Sequence, residues 1–350
     1  MYRPRNNSWW WSTLAAILLS SYALADEFQR GLAAFNDGNY EQALEAWLPL
    51  AESGDLNAMY NVGLLYDEGL GVGQDKERAL AWYLVPAQEG DVSAQFNVAM
   101  IYDFGDGVPE DNEKAVYWYT LAAKQADEQA QFNLAVMYAT GEGVEVDLDE
   151  AMRWYKYSAD LGHAPAQYNL AYMYDMGQYV PEDNHLAMDW YLKAAEQGDA
   201  DAQYAIALMF DEGDGFVPDD REAIRWYTKA AEQGNLRAQF NLAIMYDVGE
   251  GIPEDDEAAV RWYTAAAEQG HADAQLNLGV MFENGEGTDK DLLAAMKWYR
   301  EAADQGPGKT DGEDTLSTKR RPKPTSAQQR FLNLLSERGP LRGRQIERAL

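Results

Sequence analysis

The sequence contains no cysteine, which excludes a disulfide framework, a thiolate nucleophile, a zinc ribbon and haem attachment. Positive charge is scarce. There are 28 Lys+Arg against 59 Asp+Glu, a formal net charge of −31. That balance excludes nucleic acid as the main partner, because phosphate recognition needs a basic footprint. Long hydrophobic runs are also absent. The apolar stretch Trp9 to Leu19 is short of the ~20 residues needed to span a bilayer. It follows Arg3 and Arg5 and precedes Ala23-Leu24-Ala25, the small-x-small pattern that signal peptidase cuts. Residues 1–25 therefore read as a signal peptide cleaved after Ala25. The expected product is exported to the periplasm or beyond, with no membrane span left after cleavage.

What the sequence does contain is a repeat. Trp-Tyr recurs every 36 residues, at Trp82, Trp118, Trp154, Trp190, Trp226, Trp262 and Trp298. Ala stands three residues before each Trp, and Gly closes each segment, with Ala126 the exception. A fixed period of this length marks a stacked array. Each unit reads as two helices. In one copy the first runs from Asp199 to about Glu212, with Ala202, Ile206 and Phe210 on one face. Asp219 or Asp220 then caps the second helix. Ala and Gly columns let helices approach closely, and the Trp column is expected to fill the space inside each pair. Pro86 interrupts one second helix, where a kink or an early end is expected. The fold class is all-α: an α/α superhelical solenoid of about eight stacked helix pairs over residues 26–306.

Residues 27–53, with Gly31, Ala34, Phe35, Gly38, Tyr40, Ala43, Leu44 and Trp47, resemble a tetratricopeptide repeat and supply the first pair. The remaining pattern is Ala-x-x-x-Leu-Ala-x-x-Tyr, then Gly-x-Gly-Val, then Ala-x-x-Trp-Tyr-x-x-Ala-Ala-x-x-Gly. Over residues 55–306 it resembles the Sel-1-like repeat family. The resemblance implies an adaptor or regulator, commonly exported in bacteria or placed in the endoplasmic reticulum lumen of eukaryotes. Cysteine-rich members are credited with weak penicillin binding. This chain lacks their paired cysteines, so that activity is not carried over.

Catalytic signatures are missing. Gly-x-Ser-x-Gly, His-Glu-x-x-His and Gly-x-x-x-x-Gly-Lys-Ser/Thr do not occur. Gly69, Gly71 and Gly73 read as turn glycines. His163 and His271 occupy the same slot three repeats apart, too distant to share a metal, and His185 falls in an interhelix loop. The loops Asp103–Gly107 and Asp211–Gly215 place acids at the wrong spacing for an EF-hand. No enzyme activity, cofactor or metal is expected.

Four columns on the first helices stand out. One is Gln95, Gln131, Gln167, Gln203, Gln239 and Gln275. Another is Asn61, Asn97, Asn133, Asn169, Asn241 and Asn277, broken by Ala205. The third is aromatic, from Tyr60 to Phe240, and the fourth is Asp67, Asp103, Asp175, Asp211, Asp247 and Glu283. First helices of such arrays line a concave groove, where amides hold an extended peptide and acids attract a basic one. Equally, the amides tie one repeat to the next and the aromatics are core.

Residues 26–306 carry a net charge of −38, while residues 307–350 hold ten basic and five acidic residues. Residues 307–329 read as a flexible basic linker and 330–350 as a short helical segment. The function that follows is a non-catalytic exported adaptor for a basic protein or peptide. The tail is a possible occupant of its own groove. Alternatives are a penicillin-binding hydrolase or a structural subunit of the cell envelope.

Overall fold

A computed structural model describes residues 25–178, 180–305 and 330. The expected signal peptide up to residue 24, the expected linker 307–329 and residues 331–350 lie outside the described residues, and Ala25 stands in the first helix. Among the described residues there are sixteen helices and no strand. The chain divides into two compact units, Met1–Ala166 and Gln167–Leu350. The first holds α1 (25–36), α2 (Tyr40–Glu52), α3 (Leu56–Glu68), α4 (Lys76–Gln88), α5 (Val92–Phe104), α6 (Asn112–Lys124), α7 (Glu128–Thr140) and α8 (Leu148–Asp160). Then come α9 (Ala164–Asp175), which straddles the division, α10 (Asn184–Glu196), α11 (Ala200–Glu212) and α12 (Asp220–Glu232). The last are α13 (Leu236–Val248), α14 (Asp256–Glu268), α15 (Ala272–Asn284) and α16 (Leu292–Asp304). From α2 to α8, and again from α10 to α16, each helix packs on the one before and the one after it. This is an α/α solenoid of helix pairs in series.

Punctuation explains the uniform lengths. Every second helix from α4 to α16 opens on an aspartate whose carboxylate accepts backbone N–H groups of the first turn: Asp75, Asp111, Asp147, Asp183, Asp219, Asp255 and Asp291. Asp55, Asp91, Asp127 and Asp199 do the same for first helices. Each satisfies an orphan donor and complements the positive end of the helix. A substantial part of the acidic composition therefore serves local structure. First helices end on glycines in the left-handed region, as at Gly105 and Gly213.

The turn after each second helix needs a positive φ. Glycine supplies it at Gly90, Gly198 and Gly234 (φ 91 to 101°), but in one copy Ala126 holds φ 66°, the one positive-φ non-glycine residue among those described. An L-residue there costs about 1–2 kcal/mol, partly offset by the entropy glycine loses on folding. Ala126→Gly is therefore expected to stabilise the chain by roughly 0.5–1 kcal/mol, measured by chemical denaturation. Destabilisation would show that the turn is not strained.

Pro86 does not shorten its helix. α4 has the same 13 residues as its counterparts, with Pro86 buried near its C-terminal end. The Pro86 carbonyl accepts from Asp91 N–H at 2.9 Å, as the Ala194 carbonyl accepts from Asp199. A proline so close to the end removes a single internal bond, and packing against α3 and α5 holds the last turn.

The packing also corrects the assignment of the Trp column. The deepest side chain of each Trp-Tyr pair is the tyrosine. Tyr83, Tyr119, Tyr227, Tyr263 and Tyr299 are 0% exposed, whereas Trp118, Trp190, Trp226 and Trp298 keep 7–9% and Trp82, Trp154 and Trp262 are only half-buried. The tyrosine ring lies on the small-residue column. A Cβ on Gly63 would stand 2.7 Å from Tyr83 Cε1, and one on Gly279 2.5 Å from Tyr299 Cε1. The tryptophans instead cover the edge of each pair. Lys193 Nζ lies 3.5 Å from the centre of the Trp190 ring and Lys229 Nζ 3.7 Å from that of Trp226, cation–π contacts. In the first pair Trp47 is 1% exposed, takes the core position, and donates its indole N–H to the Phe28 carbonyl at 3.1 Å.

Candidate functional site

The glutamine column forms a buried ladder and does not line a groove. Gln95, Gln131, Gln167, Gln203, Gln239 and Gln275 are 4–6% exposed. Gln95, Gln131, Gln203 and Gln239 donate from Nε2 to the carbonyls of Ala87, Ala123, Ala195 and Ala231 at 2.9–3.1 Å. The Oε1 atoms of Gln95, Gln167, Gln203 and Gln239 accept from Gln125, Gln197, Gln233 and Gln269, each 30 residues further along. These amides serve the junctions between helix pairs, as buried polar groups require. Where Leu161 replaces the donor, Gln131 Oε1 is buried without a partner.

The acidic and asparagine columns meet on the core tyrosines. Tyr119 donates to Asp103 at 3.0 Å, Tyr191 to Asp175 at 3.1 Å, Tyr227 to Asp211 at 2.9 Å and Tyr263 to Asp247 at 3.0 Å. Asn133 and Asn241 donate back to Tyr119 and Tyr227 at 3.0 and 3.2 Å, and Asn97 bonds Tyr83. Three pairs thus carry a carboxylate–phenol–amide chain: Asp67–Tyr83–Asn97, Asp103–Tyr119–Asn133 and Asp211–Tyr227–Asn241. Asn169 is half-buried. Burial, followed by the adjacent carboxylate, raises the pKa of Tyr119 and Tyr191 well above the ordinary phenol range.

Asp103 and Asp175 are themselves raised above the usual carboxylate value, chiefly by burial. For Asp175 the negative charges of Asp214, Glu182 and Glu212 add to the effect and the Tyr191 hydrogen bond opposes it. A raised folded-state pKa means the folded chain binds protons more readily than the unfolded one. The cost is present above that pKa and is relieved as pH falls through it. Asp175→Asn is thus expected to stabilise the chain at pH 7, with the gain vanishing in acid below the carboxylate range. Urea midpoints at both pH values test this; a gain that grows in acid would reverse the sign.

One column break has a structural consequence. Ala205 stands where the other first helices carry asparagine, so Tyr191 receives no amide. The space left open belongs to a groove of about 640 Å³ lined by α9, Tyr191 of α10, α11 and the start of α13. Tyr168, Tyr172, Tyr191 and Tyr204 form its aromatic walls. Four carboxylates, Asp175, Asp201, Glu212 and Asp214, face it against one guanidinium, Arg237. Asp201 and Asp214 are oriented by the amides of Asn235 and Asn184, both at 2.8 Å. Burial lifts the Tyr168 phenol to about 12.

The Sel1 repeat model matches seven consecutive segments: residues 56–91, 92–127, 128–163, 164–199, 200–235, 236–271 and 272–307. The chain belongs to the Sel1 repeat family. Its structure is similar to that of a Sel1 repeat protein from Oxalobacter formigenes, with a TM-score of 0.70 and 29% identity, covering 94% of this chain and 92% of that one. It is also similar to a protective antigen of uropathogenic Escherichia coli that displays an SLR fold, with a TM-score of 0.48 and 26% identity, covering 94% and 83%. No curated protein matches the chain. The Sel1 repeat fold is commonly a protein-interaction scaffold, and its members are generally non-catalytic.

The remaining candidates have places in the Sel1 repeats. His271 caps α15, accepting from Ala274 N–H at 3.2 Å, and stacks on Phe240. His163 lies against Phe132, and burial lowers its pKa. His185 is the second residue of α10 and not part of a loop, edge-on to Phe216. In the acidic loop after α5, Asp106 pairs with Lys76, which also reaches Asp67 at 2.7 Å. Among the described residues no cluster of three or more His, Asp or Glu side chains is arranged to hold a metal, and no helix is long and apolar enough to cross a membrane.

Proposed function

We propose that this Sel1 repeat chain is an exported, non-catalytic adaptor that binds a basic protein or peptide segment through the acidic face of its first helices. The groove beside Ala205 carries the reading: its carboxylates outnumber its cations four to one, in a chain of net charge −31. Complementary charge accelerates encounter and is screened by salt. Affinity for basic peptides is therefore expected to fall as salt is raised from ~0.05 to ~0.5 M. Salt-independent binding, or capture of acidic partners only, would sink the adaptor reading. Export has its own test. The chain recovered from the cell envelope should begin at Asp26, whereas an intact Met1 terminus in the cytoplasm would refute cleavage.

A second role belongs to the tail. Arg330 Nη1 donates to Glu283 Oε2 at 3.0 Å and lies 3.5 Å from Tyr299 Oη. This contact supports a basic tail that competes with the partner for the acidic face. Removing residues 307–350 should then raise partner affinity, by a factor that shrinks with salt. Unchanged affinity would leave the tail without that role.

A further inference from the structure

We propose that the groove beside Ala205 is a receptor for a single arginine side chain of the bound segment, whose guanidinium bridges Asp175 and Tyr191. The proposal rests on the adaptor reading and gives it a chemistry. Three observations converge on it.

The first is the missing amide. In the equivalent chains Asn133 and Asn241 donate to the tyrosine while the tyrosine donates to its aspartate. Ala205 has no side chain to do this, so the Tyr191 hydroxyl, which donates to Asp175, keeps acceptor capacity on the groove side. A donor from outside can complete the chain.

The second is the last pair of the array. There Glu283 and Tyr299 are the counterparts of Asp175 and Tyr191, with Tyr299 donating to Glu283. Among the described residues no following first helix supplies an asparagine. A guanidinium stands in its place: Arg330 reaches both Glu283 and Tyr299, with its central carbon 5.9 Å from the centre of the tyrosine ring. The molecule itself thus places arginine on this acid–phenol pair where the amide is lacking.

The third is the shape and charge of the groove. Tyr168 and Tyr172 stack with an interplanar angle of 19° and ring centres 6.5 Å apart, and Tyr172 is 39% exposed. A flat aromatic face suits a planar cation. The volume of about 640 Å³ admits a long side chain with flanking backbone. The crowding of Asp175 by Asp214, Glu182 and Glu212 is relieved by a bound cation. Arginine fits better than lysine because its fixed fork of donors reaches a carboxylate and a phenol together.

The test is calorimetry with the full chain and blocked peptides in which one central residue, flanked by glycine and serine, is arginine, lysine or uncharged citrulline. Ala205→Asn is the decisive variant, since it restores the residue that sister repeats carry and so retains the fold. The arginine peptide is expected to bind about tenfold more weakly to A205N, and citrulline to lose about as much on the unaltered chain, as loss of charged hydrogen bonds implies. Asp175→Asn should weaken binding similarly. Equal binding to A205N and the unaltered chain would overturn the arginine receptor while leaving the acidic face as a binder of basic segments. Failure of the unaltered chain to bind the arginine peptide at all would overturn both.

Discussion

Tyr227→Ala is expected to cost about 3–5 kcal/mol, more than Trp226→Ala one residue away. Tyr227 is 0% exposed and packs against the Tyr204 ring at 5.8 Å between centres. Its hydroxyl serves the buried Asp211 at 2.9 Å and Asn241 at 3.2 Å. Truncation leaves a ring-sized cavity and removes the phenol that both polar groups use. Trp226, at 7% exposure, forms the edge of the pair under Lys229, so its loss is partly repaired by solvent. Tyr227→Phe separates the two contributions. It keeps the ring and should cost about 1–3 kcal/mol from the polar chain alone. Urea denaturation gives the totals. Hydrogen exchange should show lost protection centred on α11 to α14, because coupling in such arrays runs between neighbours. A larger penalty for the tryptophan would invalidate the assignment of the core.

Gly143→Ala should be nearly as damaging, at about 2–5 kcal/mol, for a reason that Gly38→Ala isolates. Both glycines hold a left-handed φ, 68° and 75°. A Cβ at Gly38 meets nothing within 4 Å, so that variant carries only the conformational cost of about 1–2 kcal/mol. At Gly143 the added carbon would overlap the backbone of Asn112, at the start of α6 in the preceding pair. The same register recurs. Gly107 lies on Lys76, Gly215 on Asn184 and Gly251 on Asp220. The first glycine of each Gly-x-Gly turns the chain out of a helix, and the second lets the loop lie against the previous repeat. Thermal unfolding of the two variants checks the difference. Equal losses would mean that the close approach carries no energy.

Much of this architecture was legible in advance. The 36-residue spacing, the capping aspartates and the closing glycines act locally, within a few bonds of the residues that carry them. They specified helix pairs, their lengths and the family resemblance. The Asp199 cap and the extent of α11 stand where the spacing put them, and of the two candidates Asp219 and Asp220 the cap is Asp219. The failures share a cause. Gln95, Phe96 and Asn97 each recur with the same period, so periodicity ranks them equally. They point about 100° apart around one helix, and only the packing of the neighbours decides what each direction meets. Gln95 meets the preceding helix and the next glutamine, Phe96 meets the Tyr119 ring, and the asparagines meet phenols.

Trp82 and Tyr83 pose the same ambiguity. Hydrophobicity favours the larger ring for the core, yet the narrow gap over Gly63 admits the smaller one. Pro86 shows the converse, a local rule overridden by the helices on either side. The sequence by itself therefore determined the repeat, its punctuation, its charge and the break in the asparagine column at Ala205. What Ala205 does was decided only by the tertiary structure. An alanine in a polar column becomes a groove because the phenol it leaves unserved, the carboxylates around it and the aromatic walls come from different helices, brought together by stacking.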